Sequence, residues 1–118
     1  MLEDNKSFDK VSANYVNLNP ISFLRRTAKV FPNRLSIVYE DIKFSWSETF
    51  ERCKKLASAL KSEGLERGDV VGFIAVNTPE LYEAHFGIPM AGLVLNAINY
   101  RLDAKTIAYI LSHSETKI

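Results

Sequence analysis

The apolar run from Val70 to Val76 constrains the fold of this chain more than any other sequence feature. Its residues are apolar at both alternating positions, so the strand that it predicts must be covered on both faces. Strands of this kind lie in the centre of parallel sheets. The order after Val70, which reads strand, helix, strand, helix, predicts an α/β fold with parallel strands, right-handed crossovers and helices on both faces.

The elements after that run follow from caps and apolar segments. Thr78 and Pro79 predict the N-cap and first residue of a helix, which Pro89 should kink or shorten near His85. A second strand is expected from Gly92 to Ile98. The last helix should begin after its N-cap Asp103, and its predicted apolar face consists of Ile107, Ala108, Ile110 and Leu111. A third parallel strand should begin at Thr116, where only three residues of the sequence remain.

The N-terminal part predicts an arm, a helix and a hairpin. Residues 1–19 are polar and lack a sustained period, so we expect an extended arm there. A helix should begin after the N-cap Asn19 and end before Pro32. Its predicted apolar face consists of Phe23, Leu24, Thr27, Ala28 and Phe31. Two short β-rich runs, Leu35 to Tyr39 and Ile42 to Ser45, predict a hairpin that turns at Glu40 and Asp41.

A second helix is predicted after the hairpin, because Ser45 and Glu48 have the spacing of a capping box. Gly64 should end this helix. Its predicted buried stripe consists of Phe50, Cys53, Leu56, Ala57 and Leu60, and its charged residues, Arg52 among them, should face solvent. Cys53 lies within the stripe, so we interpret it as a small core residue and not as a nucleophile.

Length and charge exclude several classes of protein. The 118 residues suffice for one small domain, and a net charge of +1 without a basic run gives no indication of nucleic-acid binding. One cysteine and two histidines cannot form a four-ligand zinc site, and a lone cysteine is typical of a reducing compartment such as the cytoplasm. No apolar stretch reaches the roughly 18 residues of a membrane span.

No residue is assigned a catalytic, cofactor-binding or metal-binding role from the sequence. The segment from Gly87 to Gly92 has the glycine spacing of a phosphate loop but lacks the Lys and Ser or Thr that follow it in such loops. His85 and His113 have no nucleophile or carboxylate at triad-like spacing, so we interpret both as structural. Glu80 and Glu83 are interpreted as a solvated helix face.

Taken together, the segments resemble the N-terminal part of the adenylate-forming superfamily, and most closely its short- and medium-chain acyl-CoA synthetases. The resemblance covers residues 14–118. It is carried by the ordered segments Ala13 to Leu24, Phe44 to Thr49, Leu56 to Leu60, Gly68 to Val71, Asn77 to Glu80, His85 to Asn99, Tyr100 to Leu102 and Tyr109 to Leu111.

The resemblance implies that residues 1–118 are a partial, truncated N-terminal AMP-binding domain. Enzymes of this kind use ATP and Mg²⁺ to join a small carboxylic acid to AMP, and then transfer the acyl group to coenzyme A. The family's phosphate loop and its other ligand-binding segments lie beyond Ile118, so we expect the 118 residues alone to bind no cofactor and to be inactive. The oligomeric state is left open.

Two alternatives remain open from the residues. The chain could be a complete small α/β binding or interaction module, or a part of an amino-acid adenylation domain. The location is expected to be the cytoplasm, with the peroxisome as the alternative in a eukaryote.

Overall fold

The computed structural model describes residues 10–118. Residues 1–9 lie outside the described residues, so only the second half of the predicted arm can be compared with the structure. Residues 10–19 are exposed there. The N–H groups of Asn14 and Tyr15 both donate to the carbonyl oxygen of Val11, at 3.0 and 2.9 Å, and close a turn. The extended arm over residues 1–19 stays a prediction.

Helix α1 (Pro20–Val30) begins where Asn19 predicts. Asn19 Oδ1 accepts a hydrogen bond from the Ser22 N–H at 2.8 Å. Leu24 and Ala28 are buried, but Phe23 and Phe31 are 58% and 45% exposed. The predicted apolar face is therefore wrong at both phenylalanines, because the contact with neighbouring elements covers only the narrow stripe around Leu24 and Ala28.

The predicted hairpin and the helix after it are both confirmed. Strands β1 (Leu35–Tyr39) and β2 (Ile42–Ser45) pair antiparallel, and the chain reverses at Glu40, whose φ is +50°. Helix α2 (Trp46–Ser62) starts with the complete capping box. The Glu48 N–H donates to Ser45 Oγ at 3.3 Å, and the Ser45 N–H donates to Glu48 Oε2 at 2.8 Å.

The parallel sheet is formed by β3 (Val70–Ala75) and β4 (Val94–Asn99), which pair along their whole length. Helix α3 (Pro79–Met90) connects them, and α4 (Ala104–His113) follows β4. The predicted third strand begins on the other edge of β3. There, the Lys117 N–H donates to the Val70 carbonyl oxygen and the Gly72 N–H donates to the Ile118 carbonyl oxygen, both at 2.8 Å.

Helix α3 begins as predicted, with Thr78 at the N-cap and Pro79 as its first residue, and differs from its prediction at the other end. Thr78 occupies the N-cap position in extended conformation, but its side chain makes no capping hydrogen bond. Pro89 does not shorten the helix, which continues to Met90. A proline at this place removes only the bond to the carbonyl of His85, and His85 is exposed, so water can bond that carbonyl instead.

Helices cover both faces of the sheet, as predicted. On one face, α2 and α3 form the main core with the sheet, whose buried members are Leu60, Val71, Ala84, Ile88 and Leu93. On the other face, a Cβ placed on Gly72 would lie 3.2 Å from Leu111 Cδ2 of α4. Within residues 10–118, no helix is both long enough and apolar enough to cross a membrane.

Candidate functional site

Ligands of open parallel sheets bind at the carboxyl ends of the strands, so a site is expected at this edge. A shallow cleft of about 420 Å³ lies where β3 and β4 end. Asn77, Asn99 and Arg101 supply its polar groups. The Arg101 N–H donates to Asn99 Oδ1 at 3.0 Å, and Arg101 Nε donates to the Tyr100 hydroxyl at 2.9 Å. This geometry presents an exposed guanidinium beside two amide side chains.

A larger cleft of about 660 Å³ separates β1 from α3, and Asn77 and Leu81 line both clefts. Its α3 wall carries the rings of Tyr82 and Phe86, whose centroids are 5.3 Å apart. Burial raises the pKa of Tyr82. The cleft is lined mainly by apolar and aromatic side chains, to which Ser36, Asn77, Thr78 and His85 add polar groups.

The two histidines lie apart from each other in the structure. His85 is on α3, where its Nδ1 lies 2.7 Å from the carbonyl oxygen of Leu81, one turn earlier. His113 is the last residue of α4, and its ring stacks on Tyr109 with the centroids 5.5 Å apart. These contacts are local to each helix and bring neither imidazole to a nucleophile.

The interface of α2 and α3 contains an ion pair that contradicts the prediction for two charged residues. Glu83 is only 5% exposed, and its Oε1 accepts a hydrogen bond from Arg52 Nε. The interpretation of Glu80 and Glu83 as a solvated face is therefore wrong for Glu83 and correct for Glu80, which is exposed. Arg52 is also not fully solvent-facing. Its hydrogen bond to Glu83 raises the pKa of its guanidinium.

A signal for the burial of Glu83 was present in the sequence. Glu83 lies four residues after Pro79 and four before Gly87, so the three share one helix face. Pro79 and Gly87 are buried as well. Thr49 on α2 is also buried, and the sequence contains the same kind of signal for it. Thr49 lies four residues before Cys53 and therefore shares its buried helix face.

Cys53 is fully buried, which confirms its interpretation as a core residue. Burial, followed by the nearby charge of Glu83, raises the pKa of the Cys53 thiol to about 12. Its Sγ lies 3.7 Å from the carbonyl oxygen of Glu83, as a weak donor would. A thiol with this pKa is protonated at neutral pH, so it is a poor nucleophile.

The glycine-spaced segment and the acidic side chains form neither a phosphate loop nor a metal site among residues 10–118. Gly87 lies inside α3 and packs against α2, and Gly92 follows the helix with a φ of +85°. This segment is a helix end and not a phosphate loop. Among residues 10–118, no group of three or more His, Cys, Asp or Glu side chains could hold a metal ion.

The family of AMP-binding enzymes matches residues 24–118. This range contains both sheets, helices α2 to α4, and α1 except for its first four residues. The chain belongs to this family. Its fold is that of the N-terminal domain of adenylate-forming enzymes. A solved structure provisionally assigned as a long-chain-fatty-acid CoA ligase of Rhodopseudomonas palustris is 28% identical with a TM-score of 0.80, over 85% of this chain and 25% of that chain.

Two curated relatives of this AMP-binding sequence are plant CoA ligases. A peroxisomal butyrate–CoA ligase of Arabidopsis thaliana is 54% identical over 106 residues, which are 90% of this chain and 18% of that enzyme. A peroxisomal trans-cinnamate:CoA ligase of Petunia hybrida is 51% identical over 109 residues, which are 92% of this chain and 19% of that enzyme. The chain thus spans about a fifth of the length of these relatives.

The segments that resemble the family have structural roles in this AMP-binding chain. The segment from Phe44 to Thr49 forms the end of β2 and the capping box of α2. The segment from Gly87 to Asn99 forms the end of α3, its buried contact with α2, and β4. The shared sequence therefore specifies the helices and strands that support the carboxyl edge of the sheet.

Proposed function

We propose that residues 1–118 are a partial N-terminal domain of an AMP-forming acyl-CoA ligase, hereafter the longer protein. The observation that carries the proposal is the match over residues 24–118 together with about 50% identity to plant CoA ligases. In the proposed reaction, a carboxylate oxygen attacks the α-phosphorus of ATP and pyrophosphate leaves. The thiol of coenzyme A then attacks the acyl carbon, and AMP leaves.

The described residues support this reaction as a scaffold. ATP, Mg²⁺ and coenzyme A would supply the activating and accepting groups in the longer protein. Since the clefts among residues 10–118 are open and carry no phosphate loop, we assign no catalytic or cofactor-binding residue to this segment. Its contribution is a rigid sheet edge with helices on both faces, on which the binding segments of the longer protein can be positioned.

The names of two relatives support a proposal for the substrate class. One is named for butyrate and the other for trans-cinnamate, so we propose a small carboxylic acid with a short aliphatic or an aromatic group. Both names also include the peroxisome, which favours that location over the cytoplasm. Fluorescence microscopy of the longer protein, tagged at its N-terminus so that its C-terminus stays free, would distinguish the two compartments.

The activity is tested by ATP–pyrophosphate exchange. The assay uses the purified longer protein, expressed from its complete natural reading frame. We expect exchange that depends on an added carboxylic acid, and release of AMP and an acyl-CoA when coenzyme A and Mg²⁺ are present. Butyrate and trans-cinnamate are the first two substrates to compare. Exchange with amino acids alone would assign the chain to amino-acid adenylation and would contradict the proposal.

The 118-residue chain serves as the matched control in the same assay. It should give no exchange, because nothing among its described residues can hold a triphosphate against an attacking carboxylate. ATP–pyrophosphate exchange catalysed by the 118-residue chain would mean that the active site lies within these residues, which contradicts our placement of it in the rest of the longer protein. A natural stop codon directly after Ile118 would instead favour the complete-module alternative.

A further inference from the structure

The Arg52 side chain belongs to α2 and contacts two other elements of the fold, α3 and β2. It lies on α2, its Nε donates to Glu83 of α3, and its Nη2 is 3.9 Å from Glu80 Oε1. Its Cζ also lies 4.5 Å from the centroid of the Phe44 ring on β2. A planar guanidinium can stack on a ring and bind a carboxylate through its edge at the same time.

The energetics of this arrangement favour a role in positioning over a role in stability. Glu83 is only 5% exposed, so its carboxylate has lost most of its water. Desolvation of the Glu83 carboxylate offsets part of its attraction to Arg52, whose side chain is 37% exposed, and apolar residues of similar volume often replace a buried pair without loss of stability. Apolar side chains cannot reproduce the defined geometry of the pair, because the hydrophobic effect is not directional.

The two partners of Arg52, Phe44 and Glu83, are neighbours of residues that line the two walls of the larger cleft. Phe44 is the cross-strand neighbour of Ile37, which lines the β1 wall. Glu83 is adjacent in sequence to Tyr82, which lines the α3 wall. We propose that Arg52 is a positioning residue that holds the β1–β2 hairpin at a defined place relative to α3, and so sets the separation of the cleft walls.

The same helix contains a matched control. Lys54 on the solvent side of α2 has a carboxylate partner, Glu51, with Nζ 2.7 Å from Oε1, and an aromatic neighbour, Phe50, with the ring centroid 5.3 Å away. This trio also combines a cation, a carboxylate and a ring, although its cation is an ammonium and not a planar guanidinium. All three groups belong to α2, so this trio cannot position one element relative to another.

The test measures amide hydrogen exchange by mass spectrometry in the longer protein, with peptides that cover residues 35–45. The double variant R52M/E83M should keep its thermal midpoint within a few degrees of the parent, because apolar side chains replace the pair. Exchange in the hairpin peptides should nevertheless become roughly tenfold faster, since the hairpin opens locally more often. The control variant K54M should leave the hairpin exchange unchanged.

Two further variants keep the proposal falsifiable if the double variant does not fold. R52K retains the charge but not the planar group, so it should accelerate exchange in the hairpin and not elsewhere. E83Q retains the acceptor oxygen for Arg52 and should have a smaller effect than R52K. Acceleration spread evenly over the whole chain, or hairpin exchange no faster than in K54M, would overturn the proposal. Neither result depends on whether the longer protein is a ligase.

Discussion

The two faces of the β3–β4 sheet differ in how completely they are covered. On the α2–α3 face, Val71, Ala84 and Ile88 are at most 5% exposed. On the α4 face, no residue of α4 is buried, and Tyr109 is 65% exposed. Helices α2 and α4, on opposite faces, are both amphipathic, so the difference does not come from their sequence patterns alone. A helix buries its apolar face only as far as neighbouring elements surround it.

The largest effect should distinguish the two faces directly. Ile88→Ala removes a side chain that is 1% exposed and leaves a cavity in the main core. We expect the longer protein to lose about 3 kcal/mol of unfolding free energy. Ile110→Ala on the half-buried face of α4 should cost about 1 kcal/mol, measured by urea denaturation of both variants. Equal losses would mean that the α4 face is as well packed as the core.

A smaller effect should follow from adding a methyl group on each face. A Cβ on Gly87 would lie 2.7 Å from Leu56 Cδ2 and 3.1 Å from the carbonyl oxygen of Cys53, whose backbone cannot easily move. Gly87→Ala should therefore cost about 2 kcal/mol. A Cβ on Gly72 would meet side-chain atoms of Thr116 and Leu111 at 3.0 and 3.2 Å, and the nearest backbone atom from another part of the chain, the Ile118 carbonyl oxygen, lies at an ordinary contact distance of 3.6 Å. Gly72→Ala should cost about 1 kcal/mol or less.

The additional variant L56A tests the cause of the Gly87 effect. If the Leu56 side chain is the main obstacle, the combination of Gly87→Ala with Leu56→Ala should cost less than the sum of the two single changes. Strict additivity in urea denaturation would contradict the close contact.

Cys53 gives a pH-dependent test of the well-packed face. Its pKa is about 12 in the folded chain and close to 9.0 in the unfolded chain. Between these values the unfolded chain has released the proton and the folded chain has not, so stability should fall as the pH rises above 9. The difference between the parent and Cys53→Ala, measured from pH 8 to 10.5, isolates this contribution from other groups.

The same residue should be chemically inert under ordinary conditions. At pH 8, maleimide should label Cys53 of the folded longer protein slowly, because its thiol is buried and protonated. Cys53→Ala should leave acyl-CoA formation largely intact. Rapid labelling together with lost thioester formation would contradict the core assignment.

The smallest effect concerns the N-cap of α4. Asp103 Oδ1 accepts from the Thr106 N–H at 3.0 Å, and Oδ2 accepts from Thr106 Oγ1 at 2.6 Å. These bonds lower the pKa of Asp103. Its contribution is therefore complete above the ordinary pKa of an aspartate and is lost as the pH falls through the lowered value.

Asp103→Ala should lower the thermal midpoint by a few degrees at neutral pH. The difference from the parent should shrink in acid. A midpoint that does not change at pH 7 would show that α4 needs no cap.

Local signals predicted most of the fold because they act within a few residues. Asn19, Ser45 and Asp103 were correctly identified as N-caps, since a cap needs only the N–H groups of the next turn. The parallel pairing of β3 and β4 also followed from their apolar composition and the helix between them. The prediction that Pro89 would shorten α3 failed, because a proline in the last turn removes only one backbone hydrogen bond.

The amino-acid sequence by itself determined the order of elements, their caps and the membership of the AMP-binding family, because each of these depends on residue type and spacing. Only the tertiary structure decided which residues of an amphipathic pattern are covered. Phe23 is apolar but exposed, whereas Glu83 is charged but buried beside Arg52. The physical reason is that periodicity specifies which side of a helix a residue occupies, but not which group from a distant part of the chain lies opposite it.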